Sequence, residues 1–118
     1  MKLIYTAGPY NDKRGEYYVL QNILSARDAA LFIWRNGGVA ICPHLNTMFF
    51  DGAFGMHRDT WLKGDFEIIP RCDAIFMVSG WDHSDGAKAE LELARKKGLK
   101  ELFTYEQVIE YLTDGGVK

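Results

Sequence analysis

The run Ser84-Asp85-Gly86-Ala87-Lys88-Ala89-Glu90 sets a carboxylate in the second turn of a predicted helix and empties the positions beside it. On that helix the residues three and four before Glu90 are Ala87 and Gly86. Helical side chains lean toward the N-terminus, so Glu90 would lie over a cleared patch. A carboxylate with open space beside it suits a nucleophile or an acid–base group that a sugar must approach. Ser84 is a favoured N-cap residue. The free N–H groups behind it, near Gly86, combine with the helix dipole to make a seat for phosphate. The competing reading makes Glu90 a solvated helix residue like Glu92, which has Lys96 four positions on.

Asp65 supplies a second carboxyl, useful only if folding brings it to Glu90. Tyr5 closes an apolar run, where its hydroxyl either enters a crevice or packs. In the loop that follows, Gly8 and Pro9 would let the backbone approach a ligand, and Asn11, Lys13 and Arg14 carry donors. This loop is neither a Walker loop nor a Gly-x-Gly-x-x-Gly fingerprint, which argues against ATP and dinucleotides. His44, His57 and His83 lack metal-site spacing. Ser79 and Ser84 lack a nucleophile elbow. Cys42 and Cys72 are too few and too far apart for a disulfide scaffold or a thiolate metal site, and read as buried thiols. No metal and no cofactor are expected. Asp73 reads as a turn-holding residue. The cluster Met48, Phe49, Phe50 and Phe54 reads either as core or as a wall for a flat ring.

Elements must hold these groups in place. Strands are predicted at 2–7, 39–42, 74–78 and 101–104, and helices at 16–36, 59–69, 85–97 and 106–112. Residues 44–58 show no period, and 79–84 read as a turn. Continuously apolar strands separated by helices specify a parallel sheet covered on both faces. The expected fold is therefore α/β, a small doubly wound three-layer sandwich with a four- to five-stranded parallel sheet of Rossmann or flavodoxin-like type. In such sheets ligands bind beyond the carboxyl ends of the strands, near the switch in strand order. The loops that matter are then 8–15, the segment from Pro43 onward, and 79–90.

Composition narrows the function further. With 118 residues, 47% hydrophobic and 25% charged, the chain reads as one globular domain spanning 1–118. The formal net charge of −2 provides no basic excess for a nucleic-acid polymer. Apolar runs fall well short of a membrane span, and the N-terminus turns polar too early for a signal peptide. A cytoplasmic protein with no membrane partner is the expectation.

Taken together, Ile4-Tyr5-Thr6-Ala7-Gly8-Pro9, Asp65 ahead of Cys72-Asp73-Ala74-Ile75, and Ser84-x-Gly86-x-x-x-Glu90-Leu91 resemble the nucleoside 2-deoxyribosyltransferase family. That family includes 2-deoxynucleoside 5-monophosphate N-glycosidases and small relatives of unassigned function. The resemblance implies an N-glycoside hydrolase or deoxyribosyltransferase acting with retention on a nucleoside or its 5-monophosphate. It places Glu90 at the nucleophile that forms a glycosyl-enzyme ester, and Asp65 at the aspartate that binds sugar and protonates the leaving base. Tyr5 falls on the tyrosine that orients the nucleophile. Ser84 stands where the transferases have aspartate and the monophosphate hydrolases have serine. Serine at a helix N-terminus accepts phosphate where aspartate would repel it, which favours a monophosphate. Gly8, Pro9, Asn11, Ser84 and Gly86 are the implied substrate- and phosphate-binding positions. A homodimer or higher homo-oligomer is implied as well. The chain departs from the family where Lys88 and Glu92 replace glycines. Those departures motivate a second reading, a non-catalytic nucleotide- or nucleotide-sugar-binding module on the same fold. A third makes Phe49, Phe50 and Phe54 a partner-binding surface.

Overall fold

The computed structural model describes residues 1–117, with side chains through residue 113. Four strands, β1 (Leu3–Ala7), β2 (Val39–Ile41), β3 (Ala74–Met77) and β4 (Lys100–Leu102), alternate with helices. The helices are α1 (Glu16–Arg35), α2 (Pro43–Asn46), α3 (Asp59–Ile68), α4 (Asp85–Lys96) and α5 (Tyr105–Val117). The strands form a parallel sheet in the order β2-β1-β3-β4. The expected α/β architecture is present, with four strands and helices on both faces.

Strand alternation sorts the core into two layers. Tyr5, Ala7, Ile75 and Met77 point to one face and pack with Ile69, Ala87, Leu91 and Ala94. Ile4, Ala74, Phe76 and Val78 point to the other and pack with Ala26, Ala29, Ile33 and Val108. Helices α3 and α4 thus cover one face, and α1 and α5 the other. The order explains the split. β1 to β2 moves one way along the sheet, whereas β2 to β3 and β3 to β4 move the other way. A right-handed crossover must change face when the direction reverses. The reversal falls between β1 and β3, so the crevice of a doubly wound sheet opens there.

Local chemistry sets the ends. Ser84 caps α4 by accepting the Ala87 N–H at 3.1 Å, as its type and position lead one to expect. Asp73 holds the start of β1 by accepting the Leu3 N–H at 2.8 Å, again as expected. At the end of α1 the Asn36 side chain donates to the Phe32 carbonyl at 2.8 Å. Helix α5 opens on Thr104, which accepts the Gln107 N–H at 3.1 Å, while Gln107 accepts the Phe103 N–H at 2.7 Å.

Several expectations need correction. The aperiodic stretch 44–58 includes most of α2 and a 3-10 turn at Ala53–Gly55, and a 3-10 turn at Trp81–His83 occupies the 79–84 connection. Short helical turns of this kind fall below the length at which side-chain period is visible. Strand β4 sits one or two residues earlier than read. Cys72 is buried, but Cys42 is only partly so, because β2 is an edge strand. Met48, Phe49, Phe50 and Phe54 are not core. All four are exposed, Phe54 to 99%.

Candidate active site

Three polar groups from three elements converge on the α3–α4 face of the sheet. Tyr5 is wholly buried in β1, Asp65 is buried in α3, and Glu90 is buried in α4. The Tyr5 hydroxyl donates to Glu90 Oε2. Few side chains could deliver a hydroxyl from a strand floor to a helix above it, and the length of tyrosine suits that gap. One turn back on α4 stand the small residues Ala87, which packs in the core, and Gly86, where an added Cβ would meet only Ser84 Oγ at 3.9 Å.

Electrostatics marks the same place. Burial raises the Glu90 carboxyl to about 8; the Tyr5 hydrogen bond opposes the rise and the nearby Asp65 charge adds to it. Burial likewise raises Asp65 to about 6. Tyr5 is pushed well above the usual phenol range by burial, then by Glu90 and Asp65. The two carboxyls therefore share one low-dielectric space, which favours a proton held by the pair near neutral pH. Glu90 holds its proton more tightly than Asp65, the reverse of the order that a nucleophilic Glu90 and an acidic Asp65 require.

The other expected positions lie on the connections that follow β1 and β3 and at the start of α4. Gly8 follows β1, and a Cβ there would stand 2.8 Å from Val78 Cβ, so glycine lets the ends of β1 and β3 close together. The Ala7 carbonyl accepts the Val78 N–H at 2.7 Å at the same point. Pro9 packs beside Gly80, whose positive φ of 91° turns the chain after β3. Ser84 and Gly86 lie at the start of α4, Gly86 about one turn and Ser84 nearly two turns before Glu90. Asn11 faces Arg58; with its amide turned so that the oxygen meets the guanidinium, that oxygen accepts from Nη2 at 3.0 Å. Lys88 lies on the opposite side of α4 from Glu90, with its ammonium 3.8 Å from Asp85, so it does not crowd the carboxyls. Arg14 is committed to Asp12 at 2.8 Å and stacks on Tyr18.

Two residues of the rim escaped the reading of the sequence as binding groups. His44, buried after β2, has its Nε2 2.9 Å from the Pro9 carbonyl and pins the first loop. Burial lowers the pKa of the ring, and the bond to the Pro9 carbonyl opposes that fall. Its signal was its place directly after a strand and Pro43. Arg58 was legible as the residue two helical turns before Asp65. A separate cleft of about 570 Å³ lies over the ends of β3 and β4 on the α1 side, lined by Asp28, Trp81, Phe103 and Tyr105. It is distinct from the carboxyl pair, which faces α3 and α4. Among the described residues no three His, Cys, Asp or Glu side chains come together as a metal cluster.

The fold is shared with solved enzymes. A 2-deoxyribosyltransferase from Bacillus psychrosaccharolyticus superposes with a TM-score of 0.63 at 21% identity, over 84% of this chain and 69% of the other. The CMP N-glycosidase BcmB of Clostridium botulinum superposes with a TM-score of 0.57 at 18% identity, over 99% of this chain and 100% of the other. The expected resemblance to the deoxyribosyltransferase fold is therefore shown. A search of curated proteins found no match. Residues 3–103 match the family described as a domain of unknown function, DUF4406, and the chain belongs to that family.

Proposed function

We propose that the protein cleaves or transfers the N-glycosidic bond of a nucleoside or nucleoside 5-monophosphate. The observation that carries this is the buried Tyr5–Glu90 hydrogen bond with Asp65 beside it, at the switch point of the sheet and below the capped start of α4. Glu90 is the nucleophile, Asp65 the acid, and Tyr5 the group that orients Glu90. Gly8, Pro9 and Asn11 border the substrate, and Ser84 and Gly86 hold the phosphate.

The protonation order of the empty site gives way as the reaction proceeds. Positive charge growing at the anomeric carbon favours ionised Glu90, and the Tyr5 hydroxyl already donates to that form. The proton then resides on Asp65, which passes it to the departing base. Glu90 forms an ester to the sugar carbon as the carbon–nitrogen bond breaks. Water or a second base resolves the ester, with Asp65 as the base. The likeness of fold to a 2-deoxyribosyltransferase and a CMP N-glycosidase supports this reading.

Assaying free base from a panel of nucleosides and 5-monophosphates tests it. Release by the native protein and loss in Glu90→Ala is the expected result. Equal background in both across the panel would reject the enzyme. One observation favours a non-catalytic nucleotide-binding module instead, since a Glu90 that keeps its proton at pH 7 is no nucleophile. Thermal stabilisation by nucleotides with no turnover would select that reading.

The proposal includes a homodimer or larger assembly. Tyr17, Leu20, Leu24, Leu31 and Trp34 are exposed on α1, as are Phe49 and Phe54 on the 48–56 segment. Apolar surface of this extent suits an interface. Sedimentation velocity across a concentration series should give a mass above 13.4 kDa.

A further inference from the structure

Arg58 stands at the head of α3 with helical dihedrals, φ −56° and ψ −23°, and its carbonyl accepts the Leu62 N–H at 3.2 Å. It therefore continues the helix, and at seven residues before Asp65 it lies on the same face, about 10 Å further along the axis. Ser84 stands six residues before Glu90, about 9 Å along α4. Helix α4 leaves the carboxyl end of β3, while α3 runs into the amino end of β3 through a 3-10 turn at Ile69–Arg71. Both helix starts consequently lie on the carboxyl side of the sheet, at matching heights above the two carboxyls. Arg58 shares a face of α3 with Asp65, whereas Ser84 heads α4 on a different face from Glu90.

The charge of Arg58 is unspent. Arg14 pairs with Asp12 at 2.8 Å, Arg71 with Glu67 at 3.5 Å and Arg95 with Glu101 at 3.1 Å. Arg58, half-buried, forms no ion pair among the described residues; with the Asn11 amide turned to set its oxygen toward the guanidinium, that oxygen accepts from Arg58.

We propose that Arg58, positioned by Asn11, reads the nucleobase and selects bases that present a keto oxygen beside a ring acceptor. This rests on the function proposed above. Glu90 is engaged by Tyr5, so Asp65 is the carboxyl free to protonate a leaving group, and the base lies on the Asp65 side. The α3 face above Asp65 carries Arg58. A guanidinium has five N–H donors and no acceptor. It pairs in bidentate fashion with a keto oxygen and neighbouring ring nitrogen and finds no partner in an exocyclic amine. The phosphate is left to the Ser84 helix start.

Titration calorimetry on Glu90→Gln, which binds without turnover, tests the assignment. The probes are 2-deoxyguanosine and 2-deoxyadenosine 5-monophosphates and base-free deoxyribose 5-phosphate. The guanine nucleotide should bind about ten-fold tighter than the adenine one, or more. Adding Arg58→Met should bring the ratio close to one and leave deoxyribose 5-phosphate affinity unchanged; adding Arg58→Lys, a milder variant, should retain part of the preference. Nucleotide binding with no keto preference overturns the inference while sparing the function. So does an equal loss for all three probes on Arg58→Met, which would make Arg58 a phosphate ligand. No binding by any probe removes the functional reading and this one together.

Discussion

Glu90 ties pH to stability and, on the proposed function, to catalysis. Its native carboxyl titrates at about 8 against an ordinary 4.5, chiefly through burial. A carboxyl raised in the native state contributes stability that is fully present below its unfolded value and is lost as pH rises through the native one. Unfolding free energy should therefore fall between about pH 4.5 and 8, by an amount on the order of several kcal/mol. Glu90→Gln should remove that slope. Denaturant melts at pH 5 and pH 9 are expected to show the variant gaining on the native protein as pH rises; parallel curves would contradict it. Tyr5→Phe acts the opposite way. Losing the donor raises Glu90 further, so base release should fall about 10- to 100-fold and its acid limb should move to higher pH. Of this trio, Glu90 and its cleared flank were legible in sequence because helix spacing is local. That Asp65 and Tyr5 meet Glu90 was not, since 25 and 85 residues separate them from it and only the sheet order brings them together. That Asn11 faces Arg58 was hidden for the same reason.

At the scale of elements, the closest approach in the fold lies where β1 and β3 end. Gly8→Ala would set its Cβ 2.8 Å from Val78 Cβ, two backbone-anchored atoms with no room to give. A loss of about 1–3 kcal/mol is expected by thermal or urea unfolding. Pairing it with Val78→Gly should recover part of that loss relative to the sum of the single changes, and strict additivity would refute the clash. Strong elements were readable from pattern alone: α1 and α4 by apolar period and caps, β3 by its continuous apolar run. Segment 44–58 was not, because its turns are too short to repeat. Its aromatic residues look like core in sequence yet point outward in the structure. Apolar character reports where a residue is stable in isolation, not which surface a chain chooses to show.

For the whole molecule, that outward display is the feature to test. Phe54 holds a left-handed backbone, φ 53° and ψ 26°, with its ring 99% exposed. Such a conformation costs a non-glycine residue about 1 kcal/mol, and no contact within one copy repays it. Phe54→Gly should therefore stabilise the isolated chain by a few tenths to about 1 kcal/mol. If Phe54 serves the proposed assembly, the same change should shift sedimentation toward lower mass. A rise in melting temperature with unchanged association would assign the ring no part in self-assembly.

Tyr5 sits in an interior strand of the sheet, paired on both sides by β2 and β3. Amide hydrogens there should exchange with solvent only on global opening, whereas the exposed segment 48–57 should exchange through local fluctuation. On the proposed function, the floor of the reaction is thereby anchored in the stiffest part of the chain, while Arg58, proposed to read the base, borders its exposed edge. New specificities can be selected at the edges while the reaction floor is left untouched.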